Sequence, residues 1–335
     1  MKGRISLLLC MSVALLHLAI MLQTTSATPC KALVLEAGGD RGAYQAGALK
    51  GLYEGLGSEG IDYDVVSGVS IGSINTIAYS IFPSGEEKEA TDWMIEFWEG
   101  ITRENVFVNW PYSVPEGLFY QKGLFNTSVF IDYVKEIAPR QEIFRKVTLG
   151  ATDLKSGKFV RFTEELGFED LAFKGAKGSS AIPGIFPAVD FMNMTLVDGG
   201  VENYLDVAGA IDRCMEIADT DEEITIDVIM CNGDTLDIVD TSDYNTIDVV
   251  MRYRKVTKYR EEMRWINDAL VTFPRVNFRY LVIPEKPLKG VPILFNKKHT
   301  RRMINLGRED AWKAIEKGPY TQFDKIKETM EAIQS

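Results

Sequence analysis

The stretch "KALVLEAGG", residues 31–39, is an apolar run that stops on two glycines. The segment after it, "RGAYQAGALKGLYEGL", spaces its apolar residues for one face of a helix. The same order returns at once: "IDYDVVSG" is an apolar run ending in glycine, and "SIGSINTIAYSIF" is helix-compatible. Two consecutive strand–turn–helix units constrain the chain more than any other feature. Strands alternating with helices predict a mainly parallel sheet covered on both faces, hence an α/β fold.

The rest of the chain fits that scheme. "VTLGATDLKSGKFVRFT" carries two β-rich runs around "KSG" and predicts a hairpin from about Val147 to Thr163. "ITIDVIMC" and "VNFRYLVIP" read as two further buried strands. Between them, Val249, Val256, Met263 and Leu270 recur every seventh residue, which predicts one long amphipathic helix. Residues 88–140 read as helical with an irregular centre, the Pro/Gly-broken loop "VNWPYSVPEGLFYQKG". Its Trp110, Tyr112, Phe119 and Tyr120 are expected to pack in the core under that loop; the competing reading is an acyl-chain entrance or membrane-touching lip. No linker or low-complexity stretch divides the chain, so one domain is expected over residues 31–335.

The first 27 residues stand apart from the fold. Lys2 and Arg4 precede a long apolar run, and "TSA" offers a small-residue cleavage site after Ala27, so they read as a secretory signal and the protein as secreted. The run from Ile5 to Leu22 is longer than most signal cores, which leaves an uncleaved membrane anchor as the competing reading. Sequons at Asn126 and Asn193 are compatible with glycosylation in that pathway. Removal of Cys10 leaves Cys30, Cys214 and Cys231, which permit at most one disulfide; none is expected from the sequence, and the three lack metal-ligand spacing. The net charge of −11 argues against nucleic acid as a partner. No protein partner can be inferred.

Chemistry points to the second turn. "GVSIG", residues 68–72, sets Ser70 between Gly68 and Gly72 where a strand ends and a helix begins, a turn that exposes a serine as a nucleophile. The first turn, "AGGDRG", offers the backbone N–H groups of Gly38, Gly39 and Asp40 to an oxyanion. It is neither G-x-G-x-x-G nor a Walker A sequence, which speaks against a nucleotide site. A base is also required. The chain has two histidines, His17 in the signal segment and His299 in the basic run "NKKHTRR", which reads as solvated surface. An acidic base is the alternative, and Asp198 in "LVDGG", followed by Gly199 and Gly200, is the best placed. It needs burial to become basic enough. The aspartates of "DTLDIVDTSD" lack the glycine and terminal glutamate of an EF-hand loop and read as a solvated loop, so no metal or other cofactor is expected.

Taken together, "GGDRG" at 38–42, "GVSIG" at 68–72 and "DGG" at 198–200 resemble, in that order, the motifs of the patatin-like phospholipase family. "GATDLKSGKFVRF" and "SSAIPGIFPAV" resemble the family's central hairpin and the stretch leading to its aspartate. The resemblance covers about Lys31 to Asp206. It implies a three-layer α/β/α fold, acyl-ester hydrolysis of lipids at a membrane or micelle surface, and a Ser70–Asp198 dyad with no histidine or metal in the chemistry. It also implies that Gly38, Gly39 and Asp40 donate oxyanion amides and that Arg41 stabilises their loop or meets a lipid phosphate. Two positions depart from the pattern. Ala37 stands where a third glycine is common, and "NYL" from Asn203 where Asn-x-Pro is frequent. Two other readings compete: a Ser70–Asp198–His299 triad, whose chain order matches α/β-hydrolases, and a non-catalytic lipid-binding protein on the same fold.

Overall fold

The computed structural model describes residues 28–233, 236–286, 288 and 295–334; the N-terminal apolar segment lies outside them. Eight strands make one sheet: β1 (Cys30–Leu35), β2 (Val65–Val69), β3 (Lys146–Asp153), β4 (Phe159–Phe162), β5 (Val189–Phe191), β6 (Met194–Asp198), β7 (Ile224–Ile229) and β8 (Asn277–Val282). Their order is β8-β7-β1-β2-β3-β6-β5, with β4 pairing β3 as the second arm of the expected hairpin. From β8 to β3 the neighbours are parallel; β4, β6 and β5 run antiparallel. Both strands beyond residue 210 join the edge next to β1, so the C-terminal third completes the sheet that carries the glycine-rich turns.

Burial explains why this edge is parallel. Leu33 and Leu35 of β1 face one core with α1 (Gly42–Ile61), α2 (Ile71–Ser80), α3 (Glu87–Gly100), α4 (Ser128–Ile137) and α7 (Lys297–Lys317). Ala32 and Val34 of the same strand face a second core with α5 (Val207–Cys214), α6 (Thr246–Thr272) and α8 (Thr321–Gln334). A strand buried on both sides needs apolar residues at every position, which is what makes "ALVL" a run and not an alternation. The architecture is therefore three-layered, α/β/α. None of the described helices is long and apolar enough to cross a membrane.

Three expectations are corrected. Cys30 and Cys214 form a disulfide, joining the start of β1 to the end of α5 across 184 residues; Cys231 stays free and buried. No spacing rule could pair them, because the sheet order alone brings the two ends together. The heptad in α6 holds only over its C-terminal half, where Met263 and Leu270 are buried, while Val249 is 55% exposed because that end projects beyond the layer beneath it. The aromatics of the broken loop do not enter the core. Tyr112, Phe119 and Tyr120 are exposed around a short helix, Ser113–Phe119, and only Trp110 is half-buried, its Nε1 donating to the Gly123 carbonyl at 3.0 Å.

Candidate active site

Ser70 occupies the single residue between β2 and α2. Its backbone is left-handed, at φ 56° and ψ −121°, a region that costs a non-glycine residue about 1–3 kcal/mol and persists only where its neighbours enforce it. Several contacts do so. A Cβ on Gly68 would fall 2.3 Å from the Gly72 carbonyl carbon, and one on Gly72 would fall 2.3 Å from the Leu35 oxygen, so both flanking glycines are demanded by close approach. The Ser73 hydroxyl donates to the Ser70 carbonyl at 2.6 Å. The Ser70 amide donates to Ser179 Oγ at 2.8 Å, and Ser179 in turn donates to the Gly150 carbonyl at 2.5 Å. Ser179 is a functional residue that sequence reasoning missed. It lay within the quoted "SSAIPGIFPAV", but nothing local marks a hydroxyl as the acceptor for a residue 109 positions earlier.

Asp198 is the last residue of β6, which lies one strand beyond β2; β3 between them pairs Gly150 with Val69 and Ala151 with Asp198. This register puts the Ser70 hydroxyl 2.5 Å from Asp198 Oδ2, to which it donates. The other carboxylate oxygen accepts the Gly200 amide at 2.8 Å, and a Cβ on Gly199 would fall 2.3 Å from the Gly150 carbonyl oxygen, so close approach demands the first glycine of the motif. Asp198 is 7% exposed. Burial raises its carboxyl to about 6, while the Ser70 and Gly200 hydrogen bonds and the charge of Lys258 pull the other way.

Two cavities meet at Ser70 and Gly39. One, of about 60 Å³, is apolar and enclosed by Ile71, Ile74, Phe97, Trp98, Phe130 and Phe186 among others. A further apolar pocket shares Ile74, Phe97 and Phe130 with it and continues toward Phe168 and Phe173. The other is an open mouth of about 300 Å³ bordered by Gly38, Gly39, Arg41, Asp198, Gly200, Tyr204 and Lys258. Gly38 and Gly39, the latter at φ 64°, bring bare backbone to the mouth beside Ser70, whereas Asp40 lines neither cavity and its side chain is buried. Arg41, on the rim of the mouth, is held by Nη1 donating to Asn232 Oδ1 at 2.7 Å. Neither cavity is bordered by a histidine; His299 sits in the first turn of α7. Ala37 donates its amide to the Tyr204 carbonyl at 3.0 Å, and Leu205, which stands where proline is frequent, donates its amide to the Asn203 side-chain oxygen at 2.9 Å. Of the sequons, Asn193 is exposed on the β5–β6 turn, while half-buried Asn126 spends its Oδ1 on the Ser128 amide. Among the described residues no cluster of three or more potential metal ligands occurs. The acidic run, from residue 236 to 243, is a largely solvated loop, and Asp237 pairs with Lys255 at 3.0 Å.

The fold and this arrangement define a class: a three-layer α/β protein with a serine on a strained strand-to-helix elbow against a buried carboxylate. The family model described as Patatin-like phospholipase matches residues 33–211, more than half of the chain, and the chain belongs to that family. Among solved structures it is similar to VipD from Legionella pneumophila, at 10% identity and a TM-score of 0.40, over 87% of this chain and 67% of that one. It is also similar to a chain of the heterodimeric ExoU–SpcU complex from the type III secretion system of Pseudomonas aeruginosa, at 14% identity and a TM-score of 0.35, over 87% of this chain. The match spans about half the length of that Pseudomonas chain, 52%. Family membership makes lipid hydrolysis the general activity.

Proposed function

We propose that the protein is a secreted lipid acyl hydrolase of the phospholipase A type, acting through Ser70 and Asp198. The single observation that carries this reading is the 2.5 Å contact between the Ser70 hydroxyl and a buried Asp198 carboxylate, with an apolar cavity opening beside it. Ser70 Oγ attacks the ester carbonyl while its proton passes to Asp198 Oδ2. The amides of Gly38 and Gly39, the two loop residues that border the mouth, hold the oxyanion. Collapse breaks the ester C–O bond, and Asp198 returns the proton to the departing alcohol, leaving an acyl-enzyme. Water then gives its proton to Asp198 and attacks the acyl carbon, and the fatty acid leaves as Ser70 is reprotonated. The acyl chain lies in the apolar cavity and the rest of the lipid in the mouth.

Entry into the secretory pathway is supported by the N-terminal apolar segment and by the Cys30–Cys214 disulfide, which persists in oxidising compartments. An uncleaved N-terminus would keep the protein on the membrane in the same pathway.

The test is fatty-acid release from mixed phospholipid and galactolipid vesicles with a chelator present. Ser70→Ala and Asp198→Ala are each expected to lower the rate by about a thousandfold or more, while His299→Ala and the chelator leave it intact. A comparable loss with His299→Ala would establish a triad instead. Binding of vesicles with no release by the wild type would mean a lipid-binding protein.

A further inference from the structure

We propose that Lys258 forms, with Arg41, a phosphate-binding subsite for the headgroup of a glycerophospholipid at the mouth of the Ser70 site. It is then the residue that selects phospholipids over neutral ester lipids. The assignment rests on the acyl-hydrolase reading above and adds to it the chemistry of the other end of the substrate.

The two cavities give the site a direction. With the acyl chain in the apolar cavity, whatever the ester oxygen is attached to must lie in the mouth, because the two share Ser70 and Gly39. The mouth is bordered by glycine backbone, Ile182, Pro183, Val201 and Tyr204, by two cations, Arg41 and Lys258, and by one acid, Asp198. That acid is engaged by Ser70 and Gly200. The side chains left to meet the rest of the substrate are therefore the cationic ones, on a protein whose net charge is −11.

Lys258 is held in place but not used up. It projects from α6 with its ammonium 5.2 Å from the Tyr204 ring centroid and 3.3 Å from Glu262 Oε1. That oxygen already accepts Asn232 Nδ2 at 2.9 Å, and an ammonium has three donors to place. About a third of the side chain is exposed, 32%. Behind it a buried cluster joins Glu36, Asn232, Glu262 and Arg41: Asn232 receives Arg41 on its oxygen and gives its nitrogen to both glutamates. Burial and the adjoining Glu36 charge push the Glu262 carboxyl above its usual range, while Lys258 pulls it back toward the charged form. Burial works against the Lys258 charge, but Glu262 and Glu36 outweigh it, and the ammonium stays protonated. The spare ammonium donors of Lys258, on the rim of the mouth with Arg41, can form charge-assisted hydrogen bonds to a phosphodiester, an ion pairing that a sugar or free hydroxyl headgroup cannot match.

The experiment compares kcat/KM on short-chain phosphatidylcholine with kcat/KM on the diacylglycerol carrying the same acyl chains, for the wild type, Lys258→Gln and Lys258→Arg. Loss of the Lys258 charge also acts on Asp198, but on both substrates alike, so the ratio isolates the headgroup. Lys258→Gln is expected to lower the phospholipid-to-diacylglycerol ratio by about tenfold or more, and Lys258→Arg to recover most of it. A fall by one common factor on both substrates makes Lys258 only a counter-ion to Glu262 and overturns the subsite, as does no change on either. Unchanged ratios together with inhibition of diacylglycerol cleavage by inorganic phosphate would place a free-phosphate site there instead and overturn the headgroup assignment. A wild type that cleaves diacylglycerol but not phosphatidylcholine overturns the subsite and leaves the acyl-hydrolase reading standing; cleavage of neither overturns that reading itself.

Discussion

Asp198 carries opposing demands at the scale of one residue. As a base it must be ionised, yet its site favours the neutral acid, since burial lifts its carboxyl to about 6 from an ordinary value near 4. For activity, kcat/KM should fall about tenfold per pH unit below pH 6 and level off above it, as a pH profile on a soluble ester would report. The sign for stability is opposite. Between about pH 4 and pH 6 the folded protein holds a proton that the unfolded chain has lost, so this group's contribution declines as pH rises and the full penalty applies above pH 6. Asp198→Asn, which mimics the neutral form, should therefore abolish turnover and stabilise the fold at pH 7 by up to about 3 kcal/mol, an advantage that disappears near pH 4. Urea unfolding at the two pH values checks this; equal stability of variant and wild type at pH 7 would contradict the burial argument. Ser70, Asp198 and the oxyanion glycines were legible as residues because each sits in a short local motif. Ser179 and Lys258 were not, since Ser179 accepts from a residue 109 positions earlier and Lys258 borders the mouth from a helix remote in the chain.

Among elements, the strand–turn–helix order at residues 30–80 could be read directly because each unit announces itself by a change of period. The antiparallel arms were harder: the hairpin β3–β4 was visible, but β5 and β6 are three and five residues long and sit among glycines and prolines. The long α6 was legible in extent and misleading in face, because a heptad shows which residues could share a stripe and not where the neighbouring layer ends. The disulfide belongs to this scale too. It ties β1 to α5 over a 184-residue loop, which in the chain-entropy account removes enough freedom from the unfolded state to be worth about 5 kcal/mol. Cys30→Ser with Cys214→Ser should accordingly lower the melting temperature, measured against the oxidised wild type, while leaving the Ser70–Asp198 geometry and its activity at low temperature in place. An unchanged melting temperature would mean that the linkage is not formed in the protein as isolated.

At the scale of the whole molecule, the apolar cavity, the open mouth and the aromatic loop lie on one side. The loop is anchored beside the site: Leu124 and Phe125 donate to the carbonyls of Gly184 and Ile185, next to Phe186 and Pro187 of the cavity wall. Its Tyr112, Phe119 and Tyr120 stand 82%, 74% and 84% exposed. Aromatics in such a position suit the boundary between water and lipid, and they fit the proposed action at a lipid surface. Replacing all three by serine should reduce fatty-acid release from vesicles about tenfold or more and spare hydrolysis of a monomeric soluble ester; equal loss on both would mean that the loop supports the fold and not the surface contact. The sequence by itself determined the α/β class, the order of the glycine turns and the identity of the serine and aspartate, because apolar period and turn chemistry are local properties of the chain. Tertiary structure decided the rest: which cysteines join, which half of α6 is buried, where the loop aromatics point, and that a lysine from the last third of the chain borders the site. Each of these depends on strand order and register, which bring together residues that no local pattern connects.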